Sequence, residues 1–153
     1  MELLAWAALR DIGVAPPTER AKEVLGVIVE VAMATGEDMV VAYREHTARY
    51  YNYSGAGVVW ETDNPRLNPQ IDALLESAQK VLAVVGPWEK KRPDVPEAGR
   101  VRLNVLTPSG LHFGEGPMDV ISRDRMGGAM IKAAGDLMQA LITVDAEFRE
   151  SKP

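Results

Sequence analysis

The spacing of hydrophobic residues predicts a helix in the first quarter of the chain. Apolar side chains after Thr18 recur three and four residues apart as far as Thr35-Gly36. That period places them on one face of a helix, with Thr18 as the N-cap and the glycine at its end. The predicted helix has a broad buried face made by Ala21, Val24, Leu25, Ile28, Val29, Val31 and Ala32.

Two later stretches carry the same helical period. Asn68-Pro69 is typical of a helix start, and Gly86-Pro87 ends that stretch. The last stretch begins at Ser122 or Asp124 and runs to about Phe148, with a start after the following glycine pair as the alternative. We predict a helix in each stretch, the second of them long and close to the C terminus.

The N-terminal residues 2–10 form a short apolar segment. Two helical turns are marginal in water, so such a helix must dock on the rest of the chain or on a partner. We therefore expect an N-terminal helical arm over residues 1–15 and a single α+β domain over residues 16–153.

Five segments are rich in β-branched and aromatic residues and are separated by turn residues. They span residues 39–43, 49–53, 58–61, 100–106 and 111–115. Residues 88–99, with two prolines and mixed charges, are predicted to be a loop. The expected fold class is α+β, with a single antiparallel sheet of about five strands, two to three packing helices and a long C-terminal helix.

A two-residue turn at Pro108-Ser109 would set the register of the last hairpin. It pairs Leu106 with Leu111, Val105 with His112, Asn104 with Phe113 and Arg102 with Glu115. Since opposed residues share a face and successive pairs alternate, neither face of this hairpin is purely polar. The sheet is therefore expected to cover apolar surface on both sides, although a bulged turn would shift the register.

The same reasoning at Gly55-Ala56 places Tyr51 opposite Trp60 and Tyr53 opposite Val58. Helices normally cover one face of such a sheet, and a large uncovered apolar patch is unusual in a monomer. The second face is left to the N-terminal arm, a partner or a second copy of the chain, and self-association is the preferred interpretation. The candidate interface residues are Leu106, Leu111, Phe113, Tyr51, Tyr53 and Trp60.

Composition excludes several classes of site. The 153 residues include no cysteine and two histidines, which excludes thiolate chemistry and histidine-rich metal centres. The net charge of −5 disfavours binding to a nucleic-acid backbone, although tyrosine, tryptophan and arginine side chains leave single-strand stacking as a third hypothesis. With no signal peptide and no membrane-spanning stretch in view, a cytoplasmic protein without a membrane partner is expected.

No constellation of catalytic residues is evident, and no metal or cofactor is expected. His46 lies in polar turn context, whereas His112 lies between two apolar strand residues, as a core or interface histidine would. Ser109 lacks the glycine pattern of a nucleophile elbow. The alternative that stays open is a small-molecule-binding domain or uncharacterised enzyme, with a cleft near His112 and Trp60 and with His112 and Glu115 binding the ligand.

The predicted order of elements is helix, three strands, helix, two strands and long helix. Over residues 18–148 this order resembles the small, acidic, dimeric α+β domains of specialised secretion chaperones and, less closely, roadblock- and profilin-like modules. The long loop from Gly86 to Gly99 departs from both patterns, and no residue motif carries over. The resemblance implies homodimerisation and protein binding without catalysis. The function expected from the sequence is therefore a non-catalytic, homodimeric protein-interaction module, such as a scaffold, adaptor or chaperone-like protein.

Overall fold

The computed structural model describes residues 2–152. Six strands and four helices make up this part of the chain. In chain order they are α1 (Glu2–Asp11), β1 (Gly26–Met33), β2 (Gly36–Tyr43), β3 (Ala48–Tyr51), β4 (Gly57–Trp60), α2 (Asn68–Val81), β5 (Arg100–Thr107), β6 (Gly110–Pro117), α3 (Met118–Ile121) and α4 (Arg125–Glu150).

The strands form one open antiparallel sheet in the order β4-β3-β2-β1-β5-β6. The predicted α+β class, the single antiparallel sheet and the long C-terminal helix are confirmed. The sheet has six strands rather than about five, and β1 lies inside it between β2 and β5.

The prediction of a helix between Thr18 and Gly36 is wrong. Most of that segment is β1, which pairs along its length with β2 and with β5. The residues Val27, Val29 and Val31 face one side of the sheet, and Ile28 and Ala32 face the other. A strand covered on both faces reads as a nearly continuous apolar run, and such a run also matches the helical period.

The predicted register of the β3–β4 hairpin is also wrong. Tyr51 lies opposite Gly57, and Trp60 lies opposite Ala48. The connection is five residues long, from position 52 to 56, because the Asn52 side chain accepts a hydrogen bond from the Ser54 N–H and organises a wider turn. Sequence alone did not reveal this turn, which removes Tyr53 from the strand.

The β5–β6 hairpin has the register that its turn predicts. Thr107 pairs with Gly110 around the two-residue turn, and Arg102 lies opposite Glu115. The Thr107 hydroxyl donates to the Gly110 carbonyl at 3.0 Å, and Gly110 adopts a φ of 121° that favours glycine. Local turn chemistry thus sets the pairing of the last two strands.

Helices α2 and α4 pack on the same face of the sheet, which we call the helix face. Their apolar stripes meet alternate residues of the strands in a continuous core. Fully buried side chains in this core include Val27, Val101 and Val105 from the sheet and Ile71, Leu74, Met130, Leu137 and Leu141 from the helices.

The start of α4 is decided by Asp124 rather than by Ser122 or by a later residue. The Asp124 carboxylate accepts hydrogen bonds from the N–H groups of Met126 and Gly127, as an N-cap does. A side chain at Gly128 would collide with the carbonyl oxygen of Ser122, so the glycine allows the preceding turn to approach the helix. The close backbone approach at Gly128 is therefore made by the chain's own α3–α4 turn.

Candidate functional site

The sheet face opposite α2 and α4, which we call the open face, carries no long helix. Its uncovered floor is formed by Met39, Val41, Tyr51 and Val59, contributed by three neighbouring strands. Val41 is buried among its neighbours, whereas Val59 is 49% exposed. The floor is therefore an apolar surface whose accessibility increases toward β4.

Helix α1 flanks the open face at one end of the sheet. It runs from the β2–β3 turn, where the Glu2 N–H bonds to Glu45, to the β5–β6 turn, where Arg10 donates to the Pro108 carbonyl at 2.8 Å. A groove of about 680 Å³ separates the N-terminal part of α1 from the sheet. Its wall combines apolar and charged side chains, among them Leu3, Leu25, Tyr43, Arg44, Arg49 and Glu61.

Residues 87–99, which we call the strap, cross the open face over β6, β5 and β1. The Trp88 ring packs against Phe113 at a centroid distance of 5.0 Å. Farther along, the Arg92 guanidinium donates to the Asn104 side chain at 3.2 Å, and the Gly99 N–H donates to the Ala32 carbonyl at 3.0 Å. The strap thus covers one half of the open face and leaves the half formed by β2, β3 and β4 uncovered.

A row of alternating charges lies beneath the strap. Glu30, Arg102 and Glu115 are direct cross-strand neighbours on β1, β5 and β6. The Arg102 side chain is 2% exposed, contacts the Glu115 carboxylate at 2.9 Å and donates to the backbone carbonyls of Pro93 and Asp94. Arg102 therefore links the sheet to the strap, which satisfies a charge that would be costly to bury alone.

The carboxyl groups around this row have pKa shifts in opposite directions. Burial alone would raise the pKa of Glu115, but hydrogen bonds from Arg100 and Arg102 outweigh burial and hold this pKa below its ordinary value. Burial, followed by the charge of nearby Glu30, raises the pKa of Glu37. The Glu37 Oε2 atom is buried without a hydrogen-bond partner among the described residues.

The two edges of the sheet differ. At β6, Pro87 forms a bridge with His112, and the Trp88 N–H donates to the Leu111 carbonyl at 2.7 Å. Within residues 2–152, β4 pairs with β3 and with no other strand. One edge is thus covered by the start of the strap, and the other is open.

The six predicted interface residues are divided among three places. Leu106, Leu111, Phe113 and Tyr51 lie on the open face, as their register positions require. Phe113 is packed against Trp88 of the strap, so it does not lie on the uncovered half. The other two residues lie elsewhere. Tyr53 is in the β3–β4 turn, and Trp60 is on the helix face, with its ring 5.8 Å from that of Phe148.

The cleft predicted near His112 and Trp60 is not formed. These residues lie on β6 and β4, at opposite edges of the six-stranded sheet and about 24 Å apart at the usual strand spacing. His112 and Glu115 point to opposite faces, because they are three positions apart on one strand. His112 lines an apolar cavity of about 140 Å³ and is buried, with its Nδ1 3.1 Å from the Val85 carbonyl oxygen.

His46 lies in the β2–β3 turn, as the sequence predicts. Its Nε2 is 2.9 Å from an Asp72 oxygen, and its Nδ1 is 3.5 Å from an Asp63 oxygen. Across residues 2–152, no cluster of three or more His, Cys, Asp or Glu side chains has the arrangement of a metal site. The contact of His46 with Asp72 connects the turn to α2, and the side chains of His46, Asp63 and Asp72 are partly or largely exposed.

Sequence reasoning missed the residues that shape the covered half of the open face. Glu30 interrupts an apolar run, and Arg102 lies in a strand that is otherwise apolar, so two opposite charges in apolar segments were the available signal. These two residues are recognisable as a pair only in the folded protein, where β1 lies beside β5 and Glu30 is opposite Arg102. Trp88 carried no comparable signal, because its partner Phe113 belongs to a different element.

The uncovered half of the open face presents apolar side chains beside the Arg49–Glu61 pair. Beneath the strap, Glu30, Asn104, Arg102 and Glu115 are hydrogen-bonded to one another or to the strap, whereas the Glu37 Oε2 atom has no partner among the described residues. None of the helices within the described residues has both the length and the apolar character needed to cross a membrane. Comparisons with protein-family models, with curated proteins and with solved structures returned no match, so the site has to be interpreted from its own geometry.

Proposed function

We propose that this chain is a non-catalytic protein-interaction module that works as a homodimer, in the manner of a scaffold, adaptor or chaperone-like protein. The observation that carries the proposal is the uncovered half of the open face, formed by β2, β3 and β4. A sheet in a two-layer domain normally buries its apolar face against another element. Here the second layer is incomplete, and a second protein surface would complete it.

The chemistry of this half favours a protein partner. Tyr51 and Arg49 are neighbours on β3, and Val59 lies beside Arg49 on β4. Tyrosine and arginine next to exposed aliphatic side chains are typical of the residues that dominate binding energy at interfaces. Arg49 is already paired with Glu61 at 2.6 Å, so the surface carries charges of both signs, which is compatible with a self-complementary contact between two identical chains.

The resemblance to the dimeric secretion chaperones gives less support. The last hairpin and the long C-terminal helix that it includes are present, but residues 26–33, which it takes as part of a first helix, form β1. The proposal of a homodimer rests on the open face, and the resemblance adds a known manner in which such domains act.

The small-molecule alternative has a weaker basis. The cavity next to His112 measures about 140 Å³, whereas ligand pockets usually measure about 300–1,000 Å³. Because Trp60 and Glu115 do not reach this cavity, the residues proposed for that alternative do not act together. The groove of about 680 Å³ beside α1 falls within that range, but His112, Glu115 and Trp60 do not line it. We therefore favour the interaction module.

Light scattering coupled to size exclusion tests the proposal directly. The expected result is a mass of two chains that persists as the protein is diluted into the low micromolar range. Tyr51→Glu, which places a charge on the uncovered floor, should shift the equilibrium toward single chains. Val120→Glu is the matched control, because Val120 is 57% exposed on α3 and should tolerate the charge without a change in mass. A single-chain mass at every concentration would overturn the homodimer.

A further inference from the structure

The outer edge of β4 has backbone groups that are directed away from the sheet. The Asn52 N–H donates to the Ala56 carbonyl at 2.8 Å, so this is a hydrogen-bonded pair at the end of the β3–β4 ladder. Hydrogen-bonded and non-hydrogen-bonded pairs alternate along an antiparallel ladder. The Arg49–Val59 pair lies an odd number of positions from the Asn52–Ala56 pair, so it is a non-hydrogen-bonded pair. The Val59 N–H and C=O therefore point away from β3, toward the open edge.

Apart from its short length of four residues, this edge lacks the usual protection of an exposed strand. Natural edge strands are commonly blocked by lysine, proline, a bulge or a covering loop. The segment from Ala56 to Glu61 contains neither lysine nor proline, whereas the β6 edge is covered by Pro87 and Trp88. The molecule thus presents one strand edge that is available for pairing.

Apolar side chains flank the β4 edge on both faces of the sheet. Val59 lies on the open face and is 49% exposed. On the helix face, Trp60 packs against Phe148, which is 48% exposed near the end of α4. A strand added at this edge would therefore meet apolar side chains above and below its backbone.

We infer that β4 pairs in antiparallel orientation with β4 of a second copy of this chain, about a two-fold axis at Val59. This inference rests on the proposed homodimer and narrows the contact between the two copies to the β4 edge, so the rest of the open face stays available to a different protein. Val59 then lies opposite the same residue of the other copy, and the groups directed outward from each strand become each other's donors and acceptors. The two six-stranded sheets join into one continuous sheet.

A second copy fits this edge better than an unrelated strand does, for two reasons. A single edge strand is self-complementary in the antiparallel orientation, so the two-fold arrangement needs no second kind of surface. The same register places Glu61 of one copy opposite Gly57 of the other, so the charged Glu61 side chain does not face a like charge across the axis. Because the β6 edge is covered, the assembly closes at two chains and does not grow into a fibre.

Two substitutions at Val59 test the strand pairing. Val59→Pro removes the N–H that would bond across the axis, and Val59→Lys keeps the N–H but places two like charges opposite each other. Each should raise the dimer dissociation constant about tenfold or more, since the proline variant loses two hydrogen bonds and the lysine variant gains the repulsion of two like charges. The effect of the lysine should weaken at high salt, because salt screens the repulsion.

Val59→Thr is the matched control, since it keeps the N–H and the β-branched shape and should remain a dimer. Circular dichroism checks that each variant is folded, and light scattering gives its mass. A wild-type dimer that persists in both the proline and the lysine variants overturns the β4 pairing and leaves the homodimer in place. Loss of the dimer in Tyr51→Glu together with its persistence in Val59→Lys would assign the contact to the face rather than to the edge. A wild-type chain that is single at all concentrations would overturn both proposals.

Discussion

The two faces of the sheet are held by different forces. On the helix face, side chains such as Val105, Leu137 and Leu141 are at most 1% exposed and belong to one apolar core. On the open face, the strap is held mainly by hydrogen bonds to Arg102 and Asn104 and by the ring contact of Trp88 with Phe113. The first layer is stabilised by burial of apolar area, and the second is positioned by directional polar contacts.

This difference explains how one face can be complete and the other accessible. Apolar burial stabilises in proportion to the area removed from water, so two long helices give a stable layer without help. A polar contact contributes about 1 kcal/mol net but is specific in geometry. A strap held by such contacts can lie over half of a sheet face in one defined place while the rest stays uncovered. Substitutions in the apolar core of the helix face should therefore destabilise the protein more than substitutions among the polar contacts of the open face.

Truncation in the helix-face core should have the largest effect on stability. Leu137→Ala removes a fully buried side chain of α4 and should lower the free energy of unfolding by about 2–5 kcal/mol, through lost transfer energy and the cavity left behind. Met39→Ala, on the uncovered floor of the open face, is the comparison and should cost clearly less because Met39 is partly exposed. Chemical denaturation measures both, and equal losses would contradict the division between the faces.

Loss of the buried guanidinium should be the next largest effect. Arg102→Met leaves two strap carbonyls without their donor and Glu115 with Arg100 alone, and it should cost about 2–3 kcal/mol. Hydrogen exchange should increase in residues 92–95. Arg100→Met is the matched control, because Arg100 is more exposed and pairs with Glu115 alone among the described carboxylates, and it should cost less than about 1 kcal/mol. An unchanged exchange pattern in the Arg102 variant would show that other contacts hold the strap.

Removing the carboxylate of Glu115 should give a smaller loss that depends on pH. The pKa of Glu115 is lowered in the folded protein. The contribution of the ionised carboxylate to the free energy of unfolding is therefore fully present above the unfolded-state pKa of about 4.3, and it is lost as the pH falls through the folded-state pKa. Glu115→Gln should therefore cost about 1–2 kcal/mol at pH 7. Denaturation at pH 7 and at pH 3 should show this loss shrinking at the lower pH, and a loss independent of pH would rule out the charge as its cause.

The smallest effect should have the opposite sign. The pKa of Glu37 is raised in the folded protein, so ionisation of this carboxyl disfavours the folded state. The protein is therefore more stable below the unfolded pKa of about 4.3, and this extra stability is lost as the pH rises through the folded-state pKa. Glu37→Gln should stabilise the protein at pH 7 by about a few tenths of a kcal/mol, because partial exposure screens the charge. Thermal unfolding at pH 7 and at pH 4 should show a gain at the higher pH alone. A loss at pH 7 would mean that the Glu37 carboxylate has a stabilising contact.

Some elements of this fold could be predicted because their causes are local. The Thr107-Pro108-Ser109-Gly110 turn sets the pairing of β5 with β6 within a few residues, and the register of Arg102 with Glu115 follows from it. The stripe of α4 and its cap at Asp124 are likewise contained in one stretch of sequence. In both cases the interactions that decide the structure lie within about four residues of one another or repeat along one element.

The candidate site was only partly predictable because its causes are distant in sequence. Tyr51, Leu106 and Leu111 were placed on the open face by alternation alone. The cover over Phe113 comes from Trp88, which reaches it through a loop that no periodicity describes. The register of β3 with β4 depends on the Asn52 side chain, which accepts a hydrogen bond from the Ser54 N–H and organises a wider turn. The glycines at positions 55 and 57 had predicted a tight two-residue turn instead.

Short-range turn, capping and periodic patterns were enough to predict the α+β class, the last hairpin and the long C-terminal helix. The lack of cysteine was enough to exclude thiol chemistry. The tertiary structure decided that β1 is a central strand, which half of the open face is covered and which sheet edge is open. Whether Val27 to Val31 forms a helix or a strand depends on β5, more than 70 residues away, where Arg102 lies opposite Glu30. A continuous apolar run indicates that the segment is buried on all sides. Whether the segment is a helix or a strand is decided by the elements that pack against it, here β2 and β5.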